Sequence, residues 1–360
     1  RRRSGVVRPR QLLAFRFRDA RQNVGKVGVT MLEVRNGGFE TTVQDYPGRI
    51  GMLSLGFAPA GPMDDYAFRF ANVLVGNPPG AAGLEITAGG LVVAFHDERA
   101  IAICGADMGA RLNGQPIELW RSYLVRAGDV LEFDYLQGPG FRTYLAVSGG
   151  IDVPPVLGSR ATYLPGAIGG LEGRKLREGD RLPLGEPTTD PAQAAGRRVP
   201  ASLVPTYPGY NEVWEVEATR GPQADPDYMT AEDMAFFFSH QWKLDAASNR
   251  TGYRLDIHKW QWARTSGGAG GGHPSNILDN GYPVGAVNVC GDQPIILCID
   301  GPTLGGFICN AVVAKAAMWK LGQMVPGWSY IRFKEVTLDE AIALVKKQDE
   351  TIHESNLERS

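Results

Sequence analysis

GLVVAFHDERAIAICG, residues 90–105, holds two short apolar runs, GLVVAF (90–95) and AIAICG (100–105). Both are rich in β-branched and other apolar residues, and both end in turn residues, which is the pattern of a strand. DVLEF (129–133) and TYLAVSGG (143–150) repeat it further along. A spacing of about ten residues between such runs suits barrels or sandwiches rather than βαβ units. Moving back toward the start, strand-like alternation begins at Met31 with MLEVRNGGFETTVQD. Gly 46 and Pro 24 in 360 residues are both high, and no collagen period accompanies them. The excess therefore points to many tight turns, as in β-rich folds.

Three stretches read as helices. MDDYAFRFANVLVG (63–76) has apolar residues at helical spacing, acids in its first turn and a closing Gly. TAEDMAFFFSHQW (230–242) starts with Thr230 as N-cap and Asp233 three residues on, close to a capping box. LDEAIALVKKQDETIHESNL (338–357) suits an amphipathic terminal helix. Residues 186–205 lack any periodic apolar pattern and read as a linker. The chain then divides into an extension (1–30), a first β lobe (31–185), the linker, a second β lobe (206–336) and a helical tail (337–360). The two lobes look related. Asp64–Phe70 matches Glu232–Phe238 in register, IAICGADMG (101–109) resembles LCIDGPTLGG (297–306), and VRAGDVLEF (125–133) resembles VPGWSYIRF (325–333). Three matches in one order suggest a duplicated domain. A cleft between such lobes is a favoured ligand site.

Composition excludes several functions. Net charge is −2 and charged residues make up 21%, so no basic field marks a nucleic-acid binder. No apolar stretch reaches membrane-spanning length. Cys104, Cys290, Cys298 and Cys309 form no C-x-x-C pair, and His is too scattered for a metal site. The thiols read as reduced and mostly buried, which fits a reducing cytoplasm. RRRSGVVRPRQLLAFRFRDAR, at the start, has Asp19 as its only acid. It reads as a tag, upstream translation or an interdomain remnant, mobile unless docked, and less well as a transit peptide. There is no phosphate-binding G-x-x-x-x-G-K-[ST], no H-E-x-x-H, no G-x-S-x-G and no Met-Lys-Met for biotin attachment.

Four segments carry candidate chemistry. TSGGAGGGHPSNILDN (265–280) presents His273, Ser275 and Asn276 after a glycine run that suits neither helix nor strand interior. Polar groups on such loops are disproportionately binding groups. In TTVQDYPGRIG (41–51), Gln44 and Asp45 end a strand before a Pro-Gly turn, where Asp45 either binds or simply caps the turn. Asp107 and Asp300 stand at the ends of apolar strands in matched turns, and would face a cleft from related positions if those strands line one. Glu85, in GLEITAGG, needs a partner if buried. Arg250, in SNRTGYRL, suits either that role or a substrate carboxylate.

Taken together, TTVQDYPGRIGMLSLGFAPAGPMDDYAFRFANVLVGN, LEITAGG, ICGADMGARLNG, YLAVSGGIDVPPVLGSRATYLPGAIGGLEGR and SNRTGYRL resemble the allophanate hydrolase subunit 2 family, from about Met31 to about residue 345. That is the biotin-dependent carboxyltransferase group found in urea carboxylase and in the C component of bacterial 5-oxoprolinase. GGHPSNILDN and the run GAVNVCGDQPIILCIDGPTLGGF look like the urea carboxylase branch. The resemblance implies a mainly β protein of two related cyclophilin-like β-barrel lobes with a few short helices. It implies carboxyl transfer from carboxybiotin, borne by a separate carrier domain, to urea or a similar amide, giving allophanate. No covalent cofactor and no metal are expected. Partners would be a subunit-1-like protein, a biotin carboxylase and the carrier, so the chain would be inactive alone. His273, Ser275 and Asn276 are then candidates for donors or base, Arg250 for the carboxyl group, and Asp45, Asp107 and Asp300 for the acceptor's NH groups. The rivals are a component of a 5-oxoprolinase and a regulatory protein that clasps a partner without catalysis.

Overall fold

The computed structural model describes residues 31–359; the Arg-rich extension 1–30 lies outside them. Among the described residues the chain forms 21 short strands and five α-helices, so the molecule is mainly β.

The first lobe is two stacked sheets. In one, Met31–Gly37 lies between Arg181–Pro183 and Leu91–Phe95, and the sheet continues through Val130–Glu132. In the other, the order is Glu40–Gln44, Gly83–Thr87, Arg142–Val147, Arg99–Gly105 and Arg121–Val125. Leu32, Val34, Leu84, Ile86, Val93, Ile101, Ile103 and Leu145 fill the space between the sheets. The outer face of the second sheet carries the helix Asp65–Leu74, whose Phe68, Phe70 and Leu74 pack near Ala100, Ala102, Cys104 and Tyr144. Strand Arg99–Gly105 is therefore buried on both faces. Large Ile101 and Ile103 point to one side, and small Ala100, Ala102 and Cys104 admit the helix on the other. That is why AIAICG reads as an unbroken apolar run rather than an alternating one.

The second lobe is one curled sheet, in the order Trp242–Lys243, Tyr330–Glu335, Val213–Arg220, Leu304–Val313, Ala286–Cys290, Gln293–Leu297 and Gly252–Arg254. Its concave side holds Trp214, Phe237, Trp242, Tyr253, Ile331 and Phe333. The helix Ala231–Ser239 starts with the expected box, in which the Thr230 side chain accepts from Asp233 N and Asp233 returns the bond to the Thr230 backbone. Both helices of the matched pair thus occur.

Residues 186–205, read as the linker, carry structure of their own. They form the short helix Pro191–Ala194 and the strand Arg197–Arg198, which pairs with Arg121–Val125. Ser122 Oγ donates to Ala194 O at 2.7 Å and accepts from Arg197 N at 2.9 Å, which binds the segment to the first lobe. Polar character hid this, because an edge strand needs few apolar residues. The helix Leu338–Thr351, capped by Thr337 and Glu340, leads back across the molecule. Gln348 bonds Asp65, and Asp349 pairs with Arg69 at 2.8 Å. Glu354 then pairs with Arg197, and Glu358–Arg359 adds the outermost strand to the first lobe's sheet.

All four cysteines are free; Cys104, Cys298 and Cys309 are buried and Cys290 is half-buried. Burial pushes the Cys298 and Cys309 thiols up to about 12, so they remain unreactive thiols near neutrality. Among the described residues no helix is long and apolar enough to cross a membrane.

Candidate functional site

A strand interior is an expensive place for charge unless partners are built in. Gly83–Thr87 nevertheless carries Glu85, and Arg142–Val147 starts with Arg142; both are at most 2% exposed. The second lobe supplies what they need. Arg250, 4% exposed, donates through Nη1 to Glu85 Oε1 at 2.5 Å and through Nε to Asp300 Oδ2 at 2.8 Å. Its Nη2 reaches Asp300 Oδ1 at 3.1 Å and Gly61 O at 2.9 Å. Glu85 Oε2 accepts from Met63 N and from the Tyr144 hydroxyl, at 2.7 and 2.9 Å. Arg142 donates to Tyr253 Oη and Gly322 O, with Glu85 Oε1 3.5 Å from its Nε. Burial alone would lower the Arg250 guanidinium, but Asp300 and Glu85 outweigh it and hold its pKa above the ordinary value. Each of its three nitrogens is engaged, so Arg250, Glu85 and Asp300 join the lobes.

Beside this network Gln323 acts as a plug. Its Nε2 donates to Asp64 Oδ2 at 2.7 Å and Arg142 O at 2.9 Å, and its Oε1 accepts from Phe141 N and Arg142 N. Gly322 makes the approach possible, since a Cβ there would lie 2.7 Å from Asp64 N and Met63 C. Asp64 caps the first-lobe helix through Ala67 N. Burial raises its pKa to about 7 against the help of Ala67 and Gln323. Asp64, Arg142 and Gln323 were missed in the sequence. Asp64 and Arg142 carried a faint signal as a cap and as a charge entering an apolar strand; Gln323 carried none.

The other expected residues have separate local partners. Gln44 is buried and pins its strand, donating to Thr42 Oγ1 and Thr162 O and accepting from Gly61 N. Asp45 accepts from Ser159 Oγ, Arg160 N and Ala161 N, tying the turn to the loop opposite. Asp107 is exposed and caps Gly109 N, whereas Asp300 is buried on Arg250.

The glycine loop packs on its own lobe. Asn276–Gly281 pairs with Leu304–Val313, and Arg264 donates to Pro274 O and Asn276 O. His273 Nδ1 lies 2.9 Å from Ser275 Oγ and accepts from Ser275 N at 3.1 Å. The same H-x-S turn recurs at His353 and Ser355, at 2.9 and 3.2 Å, where it merely starts a short 3₁₀ turn. The spacing itself makes this contact.

Between the lobes runs a groove of about 670 Å³. One wall is the first-lobe segment Tyr46–Met63, with Tyr46, Pro47, Ile50 and Pro59 in its lining; the other is Val312–Met318 with the terminal helix. Ala60 N donates to Ile299 O at 3.1 Å, closing one end across the lobes. Lys315, Lys346 and Asp65 are its charged lining groups. The glycine loop does not line it. Asn276 pairs with Phe307, five residues from Val312 in the groove wall, or roughly 17 Å along the strand.

Two lobes, a groove between them and the sequence itself define the class. Residues 55–335 match the family described as carboxyltransferase domain, subdomain A and B, and the chain belongs to that family. Its relatives are particular. The urea amidolyase of Lachancea kluyveri is 44% identical over 334 residues, 91% of this chain and 18% of that protein. The C component of the Escherichia coli 5-oxoprolinase is 37% identical over 315 residues, 87% of this chain and 93% of that protein. The solved Kluyveromyces lactis urea carboxylase superposes with a TM-score of 0.84 at 42% identity, over 89% of this chain and 29% of that one. The chain thus spans less than a fifth of the length of the curated urea amidolyase it matches.

Proposed function

We propose that this chain is the carboxyltransferase part of a urea-carboxylase-like enzyme, working with a biotin carboxylase, a biotin carrier and a subunit-1-like partner. The observation that carries the reading is the groove: in a carboxyltransferase fold, it is walled by both lobes and sized for a small guest. Its apolar lining of Tyr46, Pro47, Met63, Ile299 and Met318 fits the flat ring and aliphatic arm of biotin. Carboxylated biotin would supply the carboxyl group, whose carbon bonds to an acceptor amide nitrogen as that nitrogen's proton passes to the vacated biotin ring nitrogen. Lys315 and Lys346 place positive charge where a carboxylate would travel. Glu85, Arg250 and Asp300 fix the two walls relative to each other, while Gln44 and Asp45 hold the turn that forms one of them. His273, Ser275 and Asn276 lie outside the groove in this reading.

Urea is the favoured acceptor, with allophanate as product, because the urea amidolyase is the more similar relative. Ile342→Trp tests the groove, since Ile342 lines it and is 44% exposed, so the larger ring enters without disturbing the core. Carboxyl transfer from a carboxylated carrier to urea is expected to fall by more than about tenfold, with Tm unchanged. Wild-type rates in the variant would remove the groove from the reaction. Activity on 5-oxoproline with ATP, and none on urea, would favour the oxoprolinase relation.

A further inference from the structure

A globular fold keeps most of its large aromatic rings inside. Among the described residues four Phe, Tyr or Trp side chains are exposed: Phe39 at 62%, Tyr135 at 66%, Tyr210 at 44% and Trp328 at 56%. The sequence sets them far apart, and the fold lines them up. Phe39 N donates to Gly89 O at 3.0 Å. Gly89 bridges to Tyr135, and the Tyr135 ring lies against Gly90, where a Cβ would stand 3.3 Å from its Cε1. Three residues further on, Gly138 O accepts from the Tyr210 hydroxyl at 2.7 Å. The Tyr210 and Trp328 ring centroids are 6.2 Å apart. A belt of four rings thus runs from the first lobe to the second.

Single exposed rings are ordinary, whereas a contiguous set marks an interaction site. Gly89, Gly90, Gln137 and Gly138 lie along this belt, and Asp134 beside Tyr135 is already paired with Arg111 at 2.9 Å. Aromatic rings with charge kept to the margin make the core of a protein interface. The two ends differ in sign. At the first-lobe end Lys175 Nζ donates to Phe39 O at 3.4 Å. At the second-lobe end Glu212 follows Tyr210 by two residues, and Asp245 precedes Ala246, on which Gly327 packs next to Trp328. Glu212 accepts from Gly209 N and Asp245 from Ala247 N. These three exposed charges bond backbone groups and have no ion-pair partner among the described residues.

We propose that the belt is the face by which the chain pairs with a second copy of itself about a two-fold axis. Such a contact uses one patch twice, in opposite directions, so the Phe39 end of each copy meets the Trp328 end of the other. Lys175 of one copy then faces Glu212 and Asp245 of the other, at both ends. A patch that is positive at one end and negative at the other fits itself in this orientation, and the reverse orientation sets like charges together. The rings between supply apolar area with little charge to desolvate. No belt residue lines the groove, so the groove stays open in both copies. The pairing goes beyond the carboxyl-transfer reading and does not depend on it.

Sedimentation velocity of the full chain at rising concentration tests this. A species of twice 39.0 kDa is expected to grow in by mass action. Trp328→Asp and Tyr135→Asp, both at exposed positions, are each expected to raise the dissociation constant by more than about thirtyfold with Tm unchanged. If one of the two lowers Tm, the other decides. Lys175→Glu and Glu212→Lys should each raise it by about three- to tenfold, and the variant carrying both should recover most of that loss. A single 39.0 kDa species at every concentration, or a dimer that neither aromatic variant weakens, would overturn the proposal. So would a double charge swap that pairs less well than either single one. A wild type that is monomeric alone, yet binds a subunit-1-like protein through Trp328, gives the belt to that partner and overturns the self-pairing.

Discussion

Arg250 and Arg49 are both buried near the lobe junction, both within reach of Asp300, and they are treated oppositely. Arg250 meets two carboxylates and a carbonyl, with every nitrogen engaged. Arg49 meets one carbonyl and leaves two nitrogens idle. The difference separates a buried cation with every nitrogen bonded from one with a single bond. A saturated buried cation is structural, because taking it away strands its partners. An unsaturated one gives the fold less, because fewer partners depend on it.

Removing Arg250 should break the contrast most violently. Arg250→Met leaves Glu85 and Asp300 buried without their main counter-charge. The expected loss is about 3–5 kcal/mol, read as a lower midpoint in chemical denaturation. A loss below about 1 kcal/mol would show that the junction does not depend on this ion network.

Asp64 gives a pH-dependent version of the same test. Its pKa is about 7 folded against 3.8 for a free side chain. The folded state thus binds its proton more tightly than the unfolded state does. Its stabilising effect is complete below pH about 4 and is lost as pH rises toward 7, levelling off above. Asp64→Asn removes this titration, so the gap in stability between variant and wild type should change across that window and stay constant above it. A constant gap throughout would mean that Asp64 has the same pKa folded and unfolded.

Arg49→Met sharpens the comparison from the other side. It releases two idle donors and strands only Ala161 O, so stability should change by no more than about 1 kcal/mol. Asp107→Asn is expected to have the smallest effect. An exposed Asx cap replaced by another good cap should shift stability by less than about 0.5 kcal/mol, in contrast to its sequence counterpart Asp300.

The sequence carried the fold well where the physics is local. AIAICG and TYLAVSGG announced strands, and Thr230 with Asp233 announced a helix start, because periodicity and caps act within a few residues. The site was less legible. Arg250 was read as either a partner for Glu85 or a binder of a substrate carboxylate, and in the structure it bonds Glu85. Their tie to Asp300 was hidden, as was the convergence of Gln323 on Asp64, because both contacts join residues far apart in the chain. The glycine loop drew attention by its composition. Its His–Ser contact is a local turn that recurs at His353 and Ser355. Arg49 drew no reading from the sequence, since an idle donor becomes visible only when the volume around it is known.

The strap from the terminal helix to Glu358–Arg359 has a consequence for synthesis. The first lobe's other strands leave the ribosome before the second lobe does, yet the outermost strand of its larger sheet comes from residues 358–359. Until those have emerged, Arg197–Arg198 stands as an open edge, free to pair with a neighbouring nascent chain. The Arg198–Glu358 ion pair then closes that edge.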